Sequence, residues 1–301
     1  MRLINLIILF TLAGIVAKAQ TEGELLEKAY KKKSLPVLKD FFETWHNDIK
    51  PIADEELGTQ NDTIVHAYRA FSAFYNPLDL ERAGGSEWGD DIYNNVTYLI
   101  VQDRLWIYLK DKIFYTDEER DKYAVEEINR TIKSDITKQR LLKRENGKLA
   151  NNVLTTFAPD NHFSTRNEKR IPVDSILNFR PQITCNKTPL YLTKKYDEIL
   201  NAFLGNSHYK LGTGGIMNPA RSNGESEKRK VFLENYIKIW HGHWGGYWQL
   251  NSYPTCSSIT FDKNFEYAKI EFVMVYEGGE AIMKNENGVW RLISSKRTWI
   301  E

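Results

Sequence analysis

Apolar positions at the start of the chain follow a pattern that does not recur. Residues 3–16 are apolar except for Asn5, Thr11 and Gly14, with Arg2 in front and Ala17-Lys18-Ala19 behind. A positive start, a short apolar stretch and small residues at the two places a signal peptidase reads predict an export leader over residues 1–19, cleaved ahead of Gln20. The stretch is shorter than the roughly 20 residues that span a bilayer. No later segment approaches that length, so no transmembrane segment is expected once the leader is gone.

The next apolar positions recur at helical spacing. Leu25, Leu26, Ala29 and Tyr30 share a face over 22–33. Ser34 then reads as an N-cap, with Pro36 tolerated in the first turn, ahead of Leu38, Phe41, Phe42, Trp45 and Ile49. A third helix is predicted over 63–76, with Val65, Tyr68, Phe71, Phe74 and Tyr75 inward, stopped by Pro77. Residues 80–95, with two adjacent glycines and little periodicity, read as loop.

The period then changes. Residues 96–101 and 105–115 are β-branched and aromatic, with Gln102-Asp103-Arg104 as a turn between them. Thr116 and Glu119 fit a capping box, which predicts a helix from 117, although 128–136 has strand character too. Residues 143–170 are polar and turn-rich and read as a linker or exposed excursion. Strands are predicted over 171–184 and 190–193, helices over 194–204 and 226–239, and a Gly-, Asn- and Ser-rich loop between those helices. The C-terminus alternates: Ala268, Ile270, Phe272, Met274 and Tyr276 share one face, Glu277-Gly278-Gly279-Glu280 is expected to reverse the chain, and Asn285-Glu286-Asn287-Gly288 to reverse it again.

Charge narrows the function classes. The net charge is +1, and loss of Arg2 and Lys18 with the leader takes it to −1. A near-neutral chain lacks the basic excess of a nucleic-acid binder, so no nucleic acid is expected as a partner. About 280 residues after the leader suffice for one large domain or two ordinary ones. Aromatic residues make up 13% of the chain, which points to an aromatic core or an aromatic-lined cleft. Cys185 and Cys256 are the two cysteines; in an oxidising compartment they are a possible disulfide, the alternative being two separate buried thiols.

The densest chemistry is Trp240-His241-Gly242-His243-Trp244-Gly245-Gly246-Tyr247-Trp248. Trp240, His241, His243, Trp244, Tyr247 and Trp248 are the candidate ligand-binding residues, since indole faces stack on flat or sugar-like groups and imidazoles supply hydrogen bonds. The same rings would equally plug a junction between helix and sheet, with the glycines as bends. Two imidazoles at i, i+2 begin a metal site, but spacing nominates no third ligand, so no metal and no cofactor are expected. The loop Ser86-Glu87-Trp88-Gly89-Asp90-Asp91 lacks calcium-loop register, and Gly212-Thr213-Gly214-Gly215 lacks the Gly-Lys-Ser/Thr that a phosphate loop needs. Acids such as Glu271 and Glu277 are available for glycoside hydrolysis, but no catalytic group assembles from spacing.

From 228 to 301, a helix ending in aromatics, long antiparallel strands, Gly288-Val289-Trp290 and the closing Arg-Thr-Trp-Ile-Glu resemble the second half of an NTF2-like or SnoaL-like cone fold. The chain as a whole resembles uncharacterised exported proteins of Gram-negative bacteria. The resemblance implies a curved sheet wrapped on helices with a pocket at its open end, and that fold hosts enzymes and binding modules alike. The expected class is therefore α+β: an N-terminal α+β half over 20–142, a linker over 143–170, and a C-terminal half over 171–301 with a cone-like curved antiparallel sheet packed on helices. The expected function is a non-catalytic periplasmic or secreted module binding a small ligand or an envelope protein; the alternative is a hydrolase of envelope or dietary glycans.

Overall fold

The computed structural model describes residues 22–158, 162–163, 171–205, 224–241 and 248–300. The expected leader and the Gly212–Gly215 turn lie outside them. The fold is α+β, and no helix among the described residues is long and apolar enough to cross a membrane.

Two helices begin where their caps predict, after Ser34 and after Thr116. Helix α1 covers 22–32. Helix α2 (Leu35–Asp48) is capped by Ser34, whose Oγ accepts the Val37 amide at 3.5 Å. After the short α3 (Asp54–Leu57), Asn61 caps α4 (Asp62–Phe74), which stops ahead of Pro77. Strands β1 (Tyr98–Gln102) and β2 (Arg104–Lys110) follow, and then α5 (Asp117–Thr131), where Thr116 and Glu119 close the capping box.

Residues 143–158, read as a linker or exposed excursion, carry secondary structure. After α6 (Asp135–Leu141), β3 (Arg144–Glu145) and β4 (Lys148–Leu149) form a hairpin leading into α7 (Asn151–Phe157). Polar composition hid a small core here, in which Ala124 and Ile128 of α5 meet Leu149 and Val153.

The remaining elements are β5 (Ile171–Leu177), β6 (Thr188–Leu192), α8 (Lys194–Phe203), α9 (Gly224–Leu233), β7 (Trp240–His241), β8 (Trp248–Gln249), β9 (Thr255–Asp262), β10 (Tyr267–Met274), β11 (Glu277–Glu286) and β12 (Val289–Ile300). The main sheet has six strands in the order β12-β11-β10-β9-β2-β5, antiparallel throughout except for the parallel β2–β9 pair. Segments 20–142 and 171–301 therefore share one sheet.

Strands β1 and β2 are one residue apart yet do not pair with each other. Strand β1 pairs in parallel with β6, and all five of its residues are buried. Alternate side chains explain why. Leu99 and Val101 enter a core filled by α4 and one face of the main sheet. Tyr98 and Ile100 enter a second core built from α1, α2, α8 and α9. The small sheet is the wall between the two.

The expected Gly-Gly reversal is displaced. Met274 pairs with Glu277, so the turn is Val275-Tyr276, with Val275 at φ 52°. Gly278 and Gly279 lie inside β11, and each leaves room for something bulky. A Cβ on Gly278 would overlap the Trp299 indole; one on Gly279 would meet the Lys296 carbonyl and lie 2.5 Å from Phe272 Cζ. The second reversal falls where expected, with Asn287 and Gly288 both at positive φ (56° and 87°). Register shifts at Glu271/Phe272 in the β9–β10 pair, and at Gly278/Gly279 and Ile282/Met283 in the β11–β12 pair, mark bulges.

Candidate functional site

The aromatic segment splits between the two cores. In the β7–β8 ladder Trp240 sits opposite Gln249 and His241 opposite Trp248. Neighbours along a strand face opposite sides, so Trp240 and Trp248 point apart. Trp248 is buried in the helical core, with the His241 ring 4.3 Å away and His241 Nε2 3.1 Å from Glu227 Oε1. Trp240 faces the main-sheet core. His243, Trp244 and Tyr247 lie outside the described residues.

On its own side, Trp240 joins rings from distant parts of the chain. Its centroid is 5.5 Å from Trp88 and 6.3 Å from Tyr253, and Trp88 lies edge-on to Tyr276 at 5.7 Å. Lys238 Nζ stands 4.9 Å from the Trp240 ring. Trp88 is 39% exposed, and Trp240 and Tyr276 are half-buried, so the three rings form a surface.

Behind this surface Tyr93 is fully buried. Its hydroxyl oxygen accepts the Tyr253 amide at 2.9 Å and the Trp240 indole N–H at 3.4 Å. Burial pushes the Tyr93 hydroxyl well above the usual phenol range, so it stays neutral. Tyr276 donates to the His241 carbonyl at 3.2 Å, which ties the β10–β11 turn to β7.

An ion pair with one buried partner positions the loop that carries Trp88. Glu277, with no exposed surface, accepts Arg297 Nη1 at 2.5 Å and the Glu87 amide at 3.3 Å. Ser295 Oγ donates to the Ala83 carbonyl at 2.9 Å, and Gly84, at φ 103°, lies against the backbone of Lys296 and Arg297. Spacing concealed Trp88: its loop has no periodicity, and its partners lie about 150 and 190 residues further along the chain.

Glu271 and Glu277 are held by different cations. Glu271 receives Lys269 Nζ at 2.8 Å and Ser258 Oγ at 2.8 Å, and the same ammonium reaches Glu280 at 3.0 Å. Lys269 is itself buried. Glu277 belongs to Arg297, so the two acids do not form a matched pair. Among the described residues, no group of three or more His, Cys, Asp and Glu side chains is placed to hold a metal ion.

The cysteines are both free, Cys185 half-buried and Cys256 buried, so the possible disulfide is not formed and the alternative of two separate thiols holds. Cys185 Sγ bonds the Lys187 carbonyl at 3.5 Å, and the buried Cys256 Sγ bonds the Ser258 carbonyl at 3.7 Å. Burial, reinforced by the Glu271 charge, pushes the Cys256 thiol up, away from reactive thiolate.

Comparison with known proteins finds no matching family model, no matching curated protein and no matching solved structure. What the structure defines is a class: an α+β protein with two main cores divided by a small parallel sheet, a third small core on α5, and a partly exposed aromatic surface beside the largest core.

Proposed function

We propose that this chain is an exported, non-catalytic module that binds a small ligand with a flat apolar face, such as a sugar ring, on Trp88, Trp240 and Tyr276. The convergence of these three rings, each from a different segment, carries the reading. Aromatic rings, here with Trp240 and Tyr276 inclined at 52° and 73° to Trp88, offer contact area at little cost in side-chain entropy, and the adjacent Lys238 and the acids of the Trp88 loop supply polar partners for hydroxyl groups. Export rests on the pattern of residues 1–19, and the likeness of the C-terminal meander to a cone fold is part of the same proposal.

The test is a thermal-shift screen of the full chain, without its leader, against envelope and plant-type oligosaccharides. A ligand at about 100 times its Kd adds roughly 2.7 kcal/mol and moves the melting point by a few degrees. The expected result is a shift that Trp88→Ala abolishes. No shift with any sugar, or one that survives Trp88→Ala, removes the aromatic surface as the site. Release of reducing ends from a bound glycan sinks the non-catalytic reading and favours the hydrolase.

A further inference from the structure

A separate cleft opens between α4 and the β11–β12 hairpin. It holds about 560 Å³ and is walled by Leu57, Val65, Tyr68, Val289 and Trp290, with Arg69 at its edge. A second hollow of about 510 Å³ shares Ser72, Ala73, Thr184, Val289 and Trp290 with the first and adds Arg82, so the two form one continuous groove. Volumes of this size suit small organic ligands, whose sites are mostly apolar with a few placed polar groups.

Charge selects the ligand class. Among the described residues, neither Arg69 nor Arg82 makes an ion pair, and Arg82 spends one Nη2 bond on the Ala73 carbonyl at 2.8 Å. Two acids lie nearby, and among the described residues only Glu56 is paired with a cation. Asp54, on the cleft wall, accepts Gln182 Nε2 at 3.0 Å, and Glu56 pairs with Arg180 at 2.9 Å. The Trp290 indole N–H is also spent, on His66 Nδ1 at 3.2 Å. The charged groups lining the groove are therefore Arg69 and Arg82, which have no ion pair, Arg291, which pairs with Glu286, and the single carboxylate of Asp54, an excess of positive charge above an apolar floor. Val289, 55% exposed at the rim, extends that floor outward.

We infer that this groove binds an organic anion carried on an apolar body, its carboxylate or phosphate held by Arg69 and its hydrocarbon lying on Val65, Tyr68 and Trp290. A guanidinium takes either head group in a two-point fork, so the head-group chemistry is shared between the two sources. The site stands apart from the aromatic surface around Trp88 and does not depend on it.

The experiment is calorimetric titration of the full chain, without its leader, with three probes of one chain length: octanoate, octyl phosphate and 1-octanol. At least one anion is expected to bind at least tenfold more tightly than the alcohol; whichever anion wins names the head group. Arg69→Gln is expected to weaken that anion at least tenfold. Thr184→Trp, at an exposed wall position shared by both hollows, is expected to block it without touching the charge, and Trp88→Ala to leave it unchanged. Unaltered melting temperatures of the free variants confirm folding. Equal binding of alcohol and anions, full binding by both Arg69→Gln and Thr184→Trp, or no binding of any probe overturns the inference.

Discussion

Glu277 and Arg297 meet at 2.5 Å across the last hairpin, and the same carboxylate accepts the Glu87 amide, so a single buried acid ties β12 and β11 to the Trp88 loop. Removing one partner of such a pair leaves the other charge uncompensated. Because Arg297 is 35% exposed on its side chain, the cost falls below that of a fully buried pair. Arg297→Met is expected to lower stability by about 2–3 kcal/mol in urea titrations. The emission of Trp88 should shift as its loop loosens. An Arg297→Met protein as stable as the parent would show that the pair contributes nothing net.

Gly278 and Gly279 offer a graded test of close approach. Gly278→Ala displaces a side chain, the Trp299 ring, which is partly exposed and can move. Gly279→Ala meets backbone, the Lys296 carbonyl, and the buried Phe272 ring. Overpacking of this kind costs about 1–3 kcal/mol, with Gly279→Ala expected to be the worse of the two. Gly23→Ala, in helix α1 with open space around it, is expected to be neutral or slightly stabilising. Reversal of that order in thermal melts would contradict the register of β11 on β12.

His66 sets a pH dependence. Burial lowers its pKa from the usual 6.5 and the Arg69 charge lowers it further, while Asp62 opposes them. The fold thus prefers the neutral ring, whose bare Nδ1 accepts the Trp290 indole N–H. The unfolded chain takes up a proton first as pH falls. The His66 contribution is therefore whole above pH 6.5 and is lost as pH drops through the lower folded value. His66→Gln is expected to lose less melting temperature than the parent between pH 7 and 5. Parallel curves would remove His66 as the source.

Lys269 joins two carboxylates that stand directly opposite each other, Glu271 on β10 and Glu280 on β11. Lys269→Met removes the ammonium between like charges and is expected to cost about 2 kcal/mol, allowing for the partial exposure of both acids. Adding Glu280→Gln to Lys269→Met is expected to restore part of that loss. A double variant no more stable than Lys269→Met would show that repulsion between the acids is not the cause.

Local signals in the sequence carry most of the helices and one of the hairpins. Ser34, the Thr116–Glu119 pair and Asn287-Gly288 act through neighbours within a few residues, so their meaning survives without the fold. Gly278-Gly279 misleads because the same dipeptide serves a reversal or a close approach, and only the distant Trp299 and Phe272 decide between them. Trp240 and Trp248 are close in sequence but sit on opposite faces of a two-residue ladder, which composition does not reveal. Trp88 and Tyr276 take their place in the surface through tertiary contacts alone. The pairing of β2 with β9 has no local signature at all.

That pairing governs how the protein must come into being. Strand β2 leaves the ribosome about 150 residues before β9, the neighbour that covers one of its edges. Until then a segment containing Leu105, Trp106, Ile107 and Leu109 presents unmatched backbone amides, a template for pairing with another chain. Contacts so distant along the chain slow folding. Truncation anywhere before Thr255 would remove the partner for good, so shortened forms should accumulate as aggregates rather than as independently folded fragments.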